Sequence, residues 1–261
     1  MKQVPKYKKF EFRKKHTKYA LLIPIINEGS KIINELQTAK NHSLGKSIDI
    51  ILCDGGSDDG STDHDKLKSL DVNTLLVKTD TGKQGAQLRM GFSWALDRGY
   101  EGIVTIDGNN KDSIEDVPNF IKKLDEGYDF IQGSRFIKGG HAINTPKSRL
   151  IAVKFIHAPI ISLTAHKKYT DTTNNFRAYS KKYLTDPRVD PLRDIFQTYE
   201  LLAYLSTRAD QLKLKTIEIP VTRAYPDPSK HVKTPTKISP IKGNSELMKI
   251  LFLNLFRKYN P

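Results

Sequence analysis

The stretch Leu21-Leu22-Ile23-Pro24-Ile25-Ile26-Asn27-Glu28 decides how the chain folds. An unbroken apolar run, closed by an amide and a carboxylate, reads as a strand buried on both faces. The polar groups at its carboxyl end then stand at the edge of the sheet, where ligands of open α/β sheets bind. Three later segments repeat the arrangement: 53–61 (Cys-Asp-Gly-Gly-Ser-Asp-Asp-Gly-Ser), 82–86 (Gly-Lys-Gln-Gly-Ala) and 106–110 (Ile-Asp-Gly-Asn-Asn). Each adjoins an apolar β-like run and brings a carboxylate, a lysine or flexible backbone to that edge. Four such segments in order point to a nucleotide site.

Working outward, strands are predicted at 19–26, 48–53, 73–77, 101–106 and 128–133, and helices at 28–40, 83–98 and 113–125. Gly99 supplies a stop for the second helix; Ser113 is the expected N-cap of the third, with Glu115 and Asp116 in its first turn. Strands alternating with helices argue for an α/β fold with a mostly parallel sheet flanked by helices. Past Ser134 the pattern changes. A loop at 137–147 leads to an apolar helix-like run, 148–164, interrupted by Pro159. A short strand at 174–180, a helix at 194–207 and a strand at 214–219 follow. Segment 220–240 holds five of the 13 prolines and reads as a long basic loop. The closing helix, 244–258, gathers Leu247, Met248, Leu251, Phe252, Leu255 and Phe256 on a broad face. That face suits an interfacial helix, and equally one docked on its own sheet.

With 261 residues, one large domain, or a domain with an appendage, is expected. The single cysteine, Cys53, excludes an internal disulfide framework or a cysteine zinc site, and a reducing compartment is the simplest reading. The basic N-terminal stretch has no apolar signal core, and no run approaches the roughly 18 uncharged apolar residues of a membrane span. His141, His157, His166 and His231 show no metal-ligand spacing, and Trp94 reads as core. The net charge of +14 sits at the ends: residues 1–18 carry eight Lys/Arg against one Glu, and 208–261 eleven against four Asp/Glu. The stretch between them is neutral. Residues 1–18 are expected to be a disordered or loosely docked arm. Basic ends suit phosphate-rich partners such as anionic lipid, nucleic acid or a phosphorylated substrate, or they are a solvated surface.

These motifs together resemble family 2 glycosyltransferases with the GT-A fold, most closely the branch of polyprenyl-phosphate sugar transferases. The resemblance runs from about Ala20 to about Lys237. Pro24 through Glu28 resembles the P-x-x-N-E signature, Asp54 through Asp59 the D-D-G-S-x-D turn, and Gly82 through Ala86 the G-K-G-x-A helix start. Asp107 through Pro118 aligns without a gap to D-A-D-L-x-H-P-P-E-D-I-P. Gly127 through Phe136 resembles G-Y-D-x-V-x-G-S-R-F, and Asp171 through Ser180 resembles D-x-x-x-G-F-R-x-Y-S, with Asn175 in place of the glycine.

The resemblance implies an inverting glycosyltransferase that uses a nucleoside-diphosphate sugar, assisted by Mg²⁺ or Mn²⁺. It divides the chain into a basic arm (1–18), a nucleotide-sugar half (19–136), an acceptor half (137–240) and a C-terminal helix (241–261). Pro24, Ile26, Glu28, Asp54, Lys83, Asp107 and Lys111 are the donor candidates. Glu28 and Asp54 accept hydrogen bonds from ribose hydroxyls or a base N–H, or else cap the helices that follow them. Lys83 stands in a helix first turn, where a cation is unfavourable for the helix alone and a phosphate is welcome. Asp107 is the metal candidate, with Asn109 replacing the second acid of D-x-D and Lys111 adding a positive charge nearby. Arg135, Arg149, Arg177, Arg223, Lys230, Lys233 and Lys237 are the acceptor-side cations. Asp107, Arg135 and Glu200 are the catalytic candidates, Glu200 as the base a hydroxyl acceptor needs and a phosphate does not.

The expected acceptor is a polyprenyl phosphate or a cell-surface glycan, met by a cytoplasmic protein at the inner face of the membrane through peripheral anionic contact. A homo-oligomer stays open, and no nucleic-acid partner is expected. Against this stand a basic nucleic-acid-binding module, supported by charge alone, a silent scaffold, supported by Asn109 alone, and a nucleotidyltransferase, which lacks its Gly-rich phosphate loop here.

Overall fold

Seven consecutive buried residues make β2 (Tyr19–Ile25) the centre of an eight-stranded sheet. The computed structural model describes residues 2–227, 229 and 242–261. β2 is preceded by β1 (Tyr7–Glu11) and followed by α1 (Ser30–Asn41), β3 (Asp49–Asp54), α2 (His64–Ser69), β4 (Val72–Lys78), α3 (Gln84–Asp97), β5 (Gly102–Thr105), α4 (Val117–Asp125) and β6 (Phe130–Ser134). Then come β7 (His141–Ile143), α5 (Lys147–Ala152), α6 (Ala158–Ala165), β8 (Arg177–Ser180), α7 (Lys181–Thr185), α8 (Glu200–Gln211), β9 (Thr216–Pro220), β10 (Thr222–Ala224) and α9 (Lys242–Leu255). The sheet order is β1-β4-β3-β2-β5-β8-β6-β9, and only β1 and β8 run against their neighbours. β7 and β10 form a separate parallel pair.

Because strand side chains alternate between faces, the sheet divides the core in two. Ala20, Leu22, Ile51 and Cys53 join Leu88 and Phe92 of α3, Tyr204 of α8 and Leu251 of α9 on one side. Leu21, Ile23, Ile50 and Leu52 join Ile32 of α1, Leu67 of α2 and Phe120 of α4 on the other. This is the three-layer α/β arrangement expected from the sequence.

Several expectations change. The N-terminal arm is not loose: β1 pairs with β4, Gln3 N–H bonds the Leu192 carbonyl at 3.1 Å, and Thr79 N–H bonds the Lys6 carbonyl at 2.9 Å. Its cations reach carboxylates of the body, Arg13 to Asp71 at 2.6 Å and Lys18 to Asp125 at 3.1 Å. Pro159 does not interrupt the helix: α5 and α6 run on as one helix, Lys147–Ala165, through a π turn at Val153–His157. A π turn bonds i to i+5, which accommodates a proline that has no N–H to give. The Ser113 side chain makes no capping hydrogen bond; it stands before a single 3₁₀ turn, Ile114–Asp116, and α4 begins at Val117 with Pro118 in its first turn. The helix predicted at 194–207 begins only at Glu200, because residues 196–198 turn their carbonyls toward α3. Of the predicted basic loop, β10 is described, and Lys230, Lys233 and Lys237 lie outside the described residues.

Candidate active site

β3 and β4 extend the sheet to one side of β2, and β5 returns on the other. Between β2 and β5 the strand order reverses, which is where ligands of such sheets bind. A cavity of about 630 Å³ opens there. Its walls come from the end of β2 (Pro24, Ile26, Glu28), the start of α3 (Gly82, Lys83, Gln84), the turn after β5 (Asp107, Asn109, Lys111) and, across the opening, Arg135, Arg149, Arg223 and Tyr225. Tyr199 and Glu246 close the side near α8 and α9.

The start of α3 is held by tight packing. The Lys83 N–H bonds the Gln197 carbonyl at 2.8 Å. Gly82 has φ +94°, and a Cβ on Gly85 would stand 2.7 Å from the carbonyl oxygens of Phe196 and Thr198. Gly85 is therefore fixed by backbone approach. One turn on, the buried Gln87 amide donates to the Ile25 carbonyl at 2.6 Å and the Cys53 carbonyl at 2.8 Å, tying two strand ends to α3.

Asp107 sits where these parts meet. Its Oδ1 accepts from Gln84 Nε2 at 3.0 Å and Asn175 Nδ2 at 3.1 Å, and its Oδ2 faces Arg223 Nη2 at 3.3 Å. Asn175, the residue in place of the expected glycine, thus draws the 171–177 turn onto the strand-end carboxylate. Arg223 also holds the fully buried Asp112 side chain. Beneath this turn the Asn110 N–H bonds Glu35 at 2.9 Å, and burial pushes the Glu35 carboxyl well above its usual range.

Opposite, three cations surround one ring. Lys111, Arg149 and Arg223 approach Tyr225 with 5.1, 5.6 and 5.8 Å to the centroid, and Arg149 Nη1 donates to the Tyr225 hydroxyl at 2.8 Å. Burial works to raise the Tyr225 hydroxyl, but Arg223 and Arg149 outweigh it and hold it below its usual value. Burial, then Arg223, lowers Lys111. These are the marks of a site that wants an anion.

The structure sorts the candidates. Pro24, Ile26, Glu28, Lys83, Asp107, Asn109, Lys111, Arg135, Arg149 and Arg223 all line the cavity. Asp54 does not: at 1% exposure it accepts from the N–H groups of Gly56 and Ser57, and the Ser57 hydroxyl in turn receives the Asn27 N–H at 2.9 Å. It shapes the loop that presents Glu28. Arg177 is equally buried and donates to the carbonyls of Asn174, Leu202 and Thr172. Arg135 reaches the cavity, yet its fork is directed to Asp171, at 2.6 and 2.9 Å. Glu200 is turned onto Thr198, accepting from its N–H at 2.6 Å and its hydroxyl at 2.8 Å. Gln84, Asn175, Tyr225 and Glu246 were not foreseen as site residues, although Gln84, Asn175 and Tyr225 stand within two residues of the candidates Lys83, Arg177 and Arg223.

Sheet order, flanking helices and strand-end cavity define the GT-A fold. Glucosyl-3-phosphoglycerate synthase of Mycobacterium tuberculosis superposes with a TM-score of 0.64 at 14% identity, over 92% of this chain and 80% of that one. Its complex with Mn²⁺, uridine diphosphate and phosphoglyceric acid gives 0.61 at 15%, over 91% and 78%. At that identity the likeness concerns the fold. The glycosyl transferase family 2 profile matches residues 20–186, and the chain belongs to that family. Polyprenol monophosphomannose synthase of Mycolicibacterium smegmatis is 27% identical over 208 residues, 77% of this chain and 76% of that one. Undecaprenyl-phosphate mannosyltransferase of Micrococcus luteus is 29% identical over 205 residues, 77% and 81%. The relatives lie in the polyprenyl-phosphate branch expected from the motifs.

Proposed function

We propose that the protein transfers a sugar from a nucleoside diphosphate to a polyprenyl phosphate, with inversion at the anomeric carbon, at the inner face of the membrane. One observation carries this reading: the cavity wall beside Asp107 holds Lys83, Lys111 and Arg149, which form no ion pair with a carboxylate among the described residues, while Arg135, Arg223 and Lys31 are already answered by Asp171, Asp112 and Glu28. Such a surplus suits two phosphate groups, the departing diphosphate and the acceptor. The two relatives named for polyprenol and undecaprenyl phosphate support the acceptor class.

In this reading Glu28 orients the nucleoside. Lys83 and the start of α3 face the diphosphate, and Lys111 and Arg223 neutralise the charge it gains on leaving. Arg149 holds the acceptor phosphate, whose oxygen attacks in line. No covalent sugar–protein intermediate forms. A phosphate is already ionised near neutral pH and needs no general base, which agrees with the Glu200 carboxylate being turned onto Thr198. A glycan hydroxyl is the second reading, favoured by Glu246, a carboxylate on the cavity wall.

Asp107 and Asn109 are the residues that would hold a divalent ion in this reading. The Asn109 side-chain oxygen is buried and has no hydrogen-bond partner among the described residues, and an amide oxygen is a hard donor suited to Mg²⁺ or Mn²⁺. When bound, the ion supplies charge neutralisation for the diphosphate. Asp107 brings the only carboxylate of that pair, so Arg223 and Lys111 carry more of the task than a second acid would require.

A thermal-shift screen of nucleoside diphosphates with and without Mn²⁺ tests the donor half of the reading. One base should raise the melting temperature well above the others. Stabilisation by duplex DNA alone, lost in high salt, would instead support the nucleic-acid reading.

A further inference from the structure

The helix Lys147–Ala165 is long and apolar, yet only 28% of its most apolar window is buried. It does not stand free to span a bilayer, because Val153, Ala158, Ile161 and Ala165 are packed into the protein. Its outer side carries Ile151, Phe155 and Leu163, at 57, 73 and 62% exposure. These residues and Pro159 recur every four positions, and all are exposed. α9 packs beside α6, and Arg257 reaches His166 at 3.4 Å, which brings the turn carrying Phe256 next to the turn carrying Leu163. Phe252 and Phe256 of α9 are 47 and 68% exposed. Three exposed phenylalanines, an isoleucine and a leucine on two adjoining helices are more than scattered surface apolar residues.

The charge around this face has one sign. No acidic residue occurs between Asp129 and Asp171, and none after Glu246. Lys147, Lys154, Lys168, Arg257 and Lys258 flank the apolar residues and are exposed. A second copy seated on the face would bring like charges together. An anionic lipid surface neutralises them while taking up the apolar side chains, and long lysine stems let the charge rest at headgroup level.

We infer that the outer face of the 147–165 helix, with Phe252 and Phe256 of α9, is a docking surface for an anionic bilayer interface. It extends the contact expected from the basic C-terminal end to the 147–165 helix and leaves out the N-terminal arm, whose Arg13 and Lys18 are paired with body carboxylates. The same helix carries Arg149, which lines the cavity two residues from Ile151. Docking therefore sets one side of the helix in the headgroup layer while the other faces the site. The inference extends the lipid-phosphate reading, but it concerns binding to membrane and is measured apart from transfer.

The test is co-sedimentation of the full chain with vesicles of phosphatidylcholine alone, or mixed with phosphatidylglycerol, at low and high salt. Binding should favour the anionic vesicles and weaken as salt rises. The double variant F155S/L163S should lose at least roughly tenfold in vesicle affinity, since it removes two apolar side chains from the contact. Its melting temperature and nucleoside-diphosphate affinity should stay at wild-type values. In Phe155→Trp, indole emission should shift to the blue when anionic vesicles are added. Wild-type protein that ignores anionic vesicles, or a double variant that binds them equally well, overturns the inference. So does a dimer that F155S/L163S dissolves, which would give the face to a second copy. Vesicle binding without any transfer to polyprenyl phosphate would leave the docking surface standing and remove the acceptor reading instead.

Discussion

The two halves of the cavity are built differently. The side we propose for the donor consists of strand ends and one helix start, each fixed by a short contiguous segment: Pro24–Glu28, Gly82–Gln84 and Asp107–Lys111. The acceptor side is assembled from cations that are far apart in sequence and not equivalent in space. Arg135 and Arg177 are buried and hold the architecture, one through Asp171 and the other through three backbone carbonyls. Arg149 stands against Tyr225 and forms no ion pair among the described residues, and Lys111 meets the same ring from the donor side. An arginine's place in a motif does not say whether it serves fold or ligand; its partner does.

That difference can be broken by substitution. Asp107→Ala should have the largest effect, a loss of transfer on the order of 10²–10³ or more, with an unchanged circular dichroism spectrum. Near-normal turnover would remove the strand-end carboxylate from the chemistry. On the acceptor side, Arg135→Ala leaves the buried Asp171 carboxylate without its partner, which typically costs about 3–5 kcal/mol of stability. Its melting temperature should fall sharply. Arg149→Ala should melt like the wild type yet lose roughly tenfold to a hundredfold in transfer, while Glu200→Gln loses less. If Arg149→Ala destabilises and Arg135→Ala does not, the division between architectural and ligand-facing arginines is wrong.

The same contrast explains what the sequence could say. The alternation of strands and helices through Ser134 was legible because buried parallel strands leave continuous apolar runs, and their polar ends mark the sheet edge. β1 was not, since its lysine-rich edge strand has the composition of a solvated tail. The ion pair of Arg223 with Asp112 spans 111 positions, and that of Arg135 with Asp171 spans 36. No local pattern announces such pairings. Gln84 and Asn175 lay inside recognised segments, but their contact with Asp107 depends on how α3 and the 171–177 turn close over β5. Glu246 belongs to a helix whose apolar face drew attention away from its one carboxylate.

A smaller effect sharpens the donor side. Asn109→Asp puts back a second carboxylate beside Asp107 and should tighten Mn²⁺ binding in the presence of nucleoside diphosphate by roughly tenfold, about 1.4 kcal/mol. Calorimetric titration measures it. Unchanged affinity would mean that position 109 does not meet the ion.

The most direct measurement of the central claim follows the sugar. The full chain is incubated with radiolabelled nucleoside-diphosphate sugars, the base chosen by thermal shift, together with polyprenyl phosphate. Label in the organic phase and released nucleoside diphosphate are then counted in the same reaction. Label passing to the lipid in step with the nucleoside diphosphate released is the predicted result. Polyprenyl phosphate left unmodified while a glycan hydroxyl accepts the sugar would contradict it.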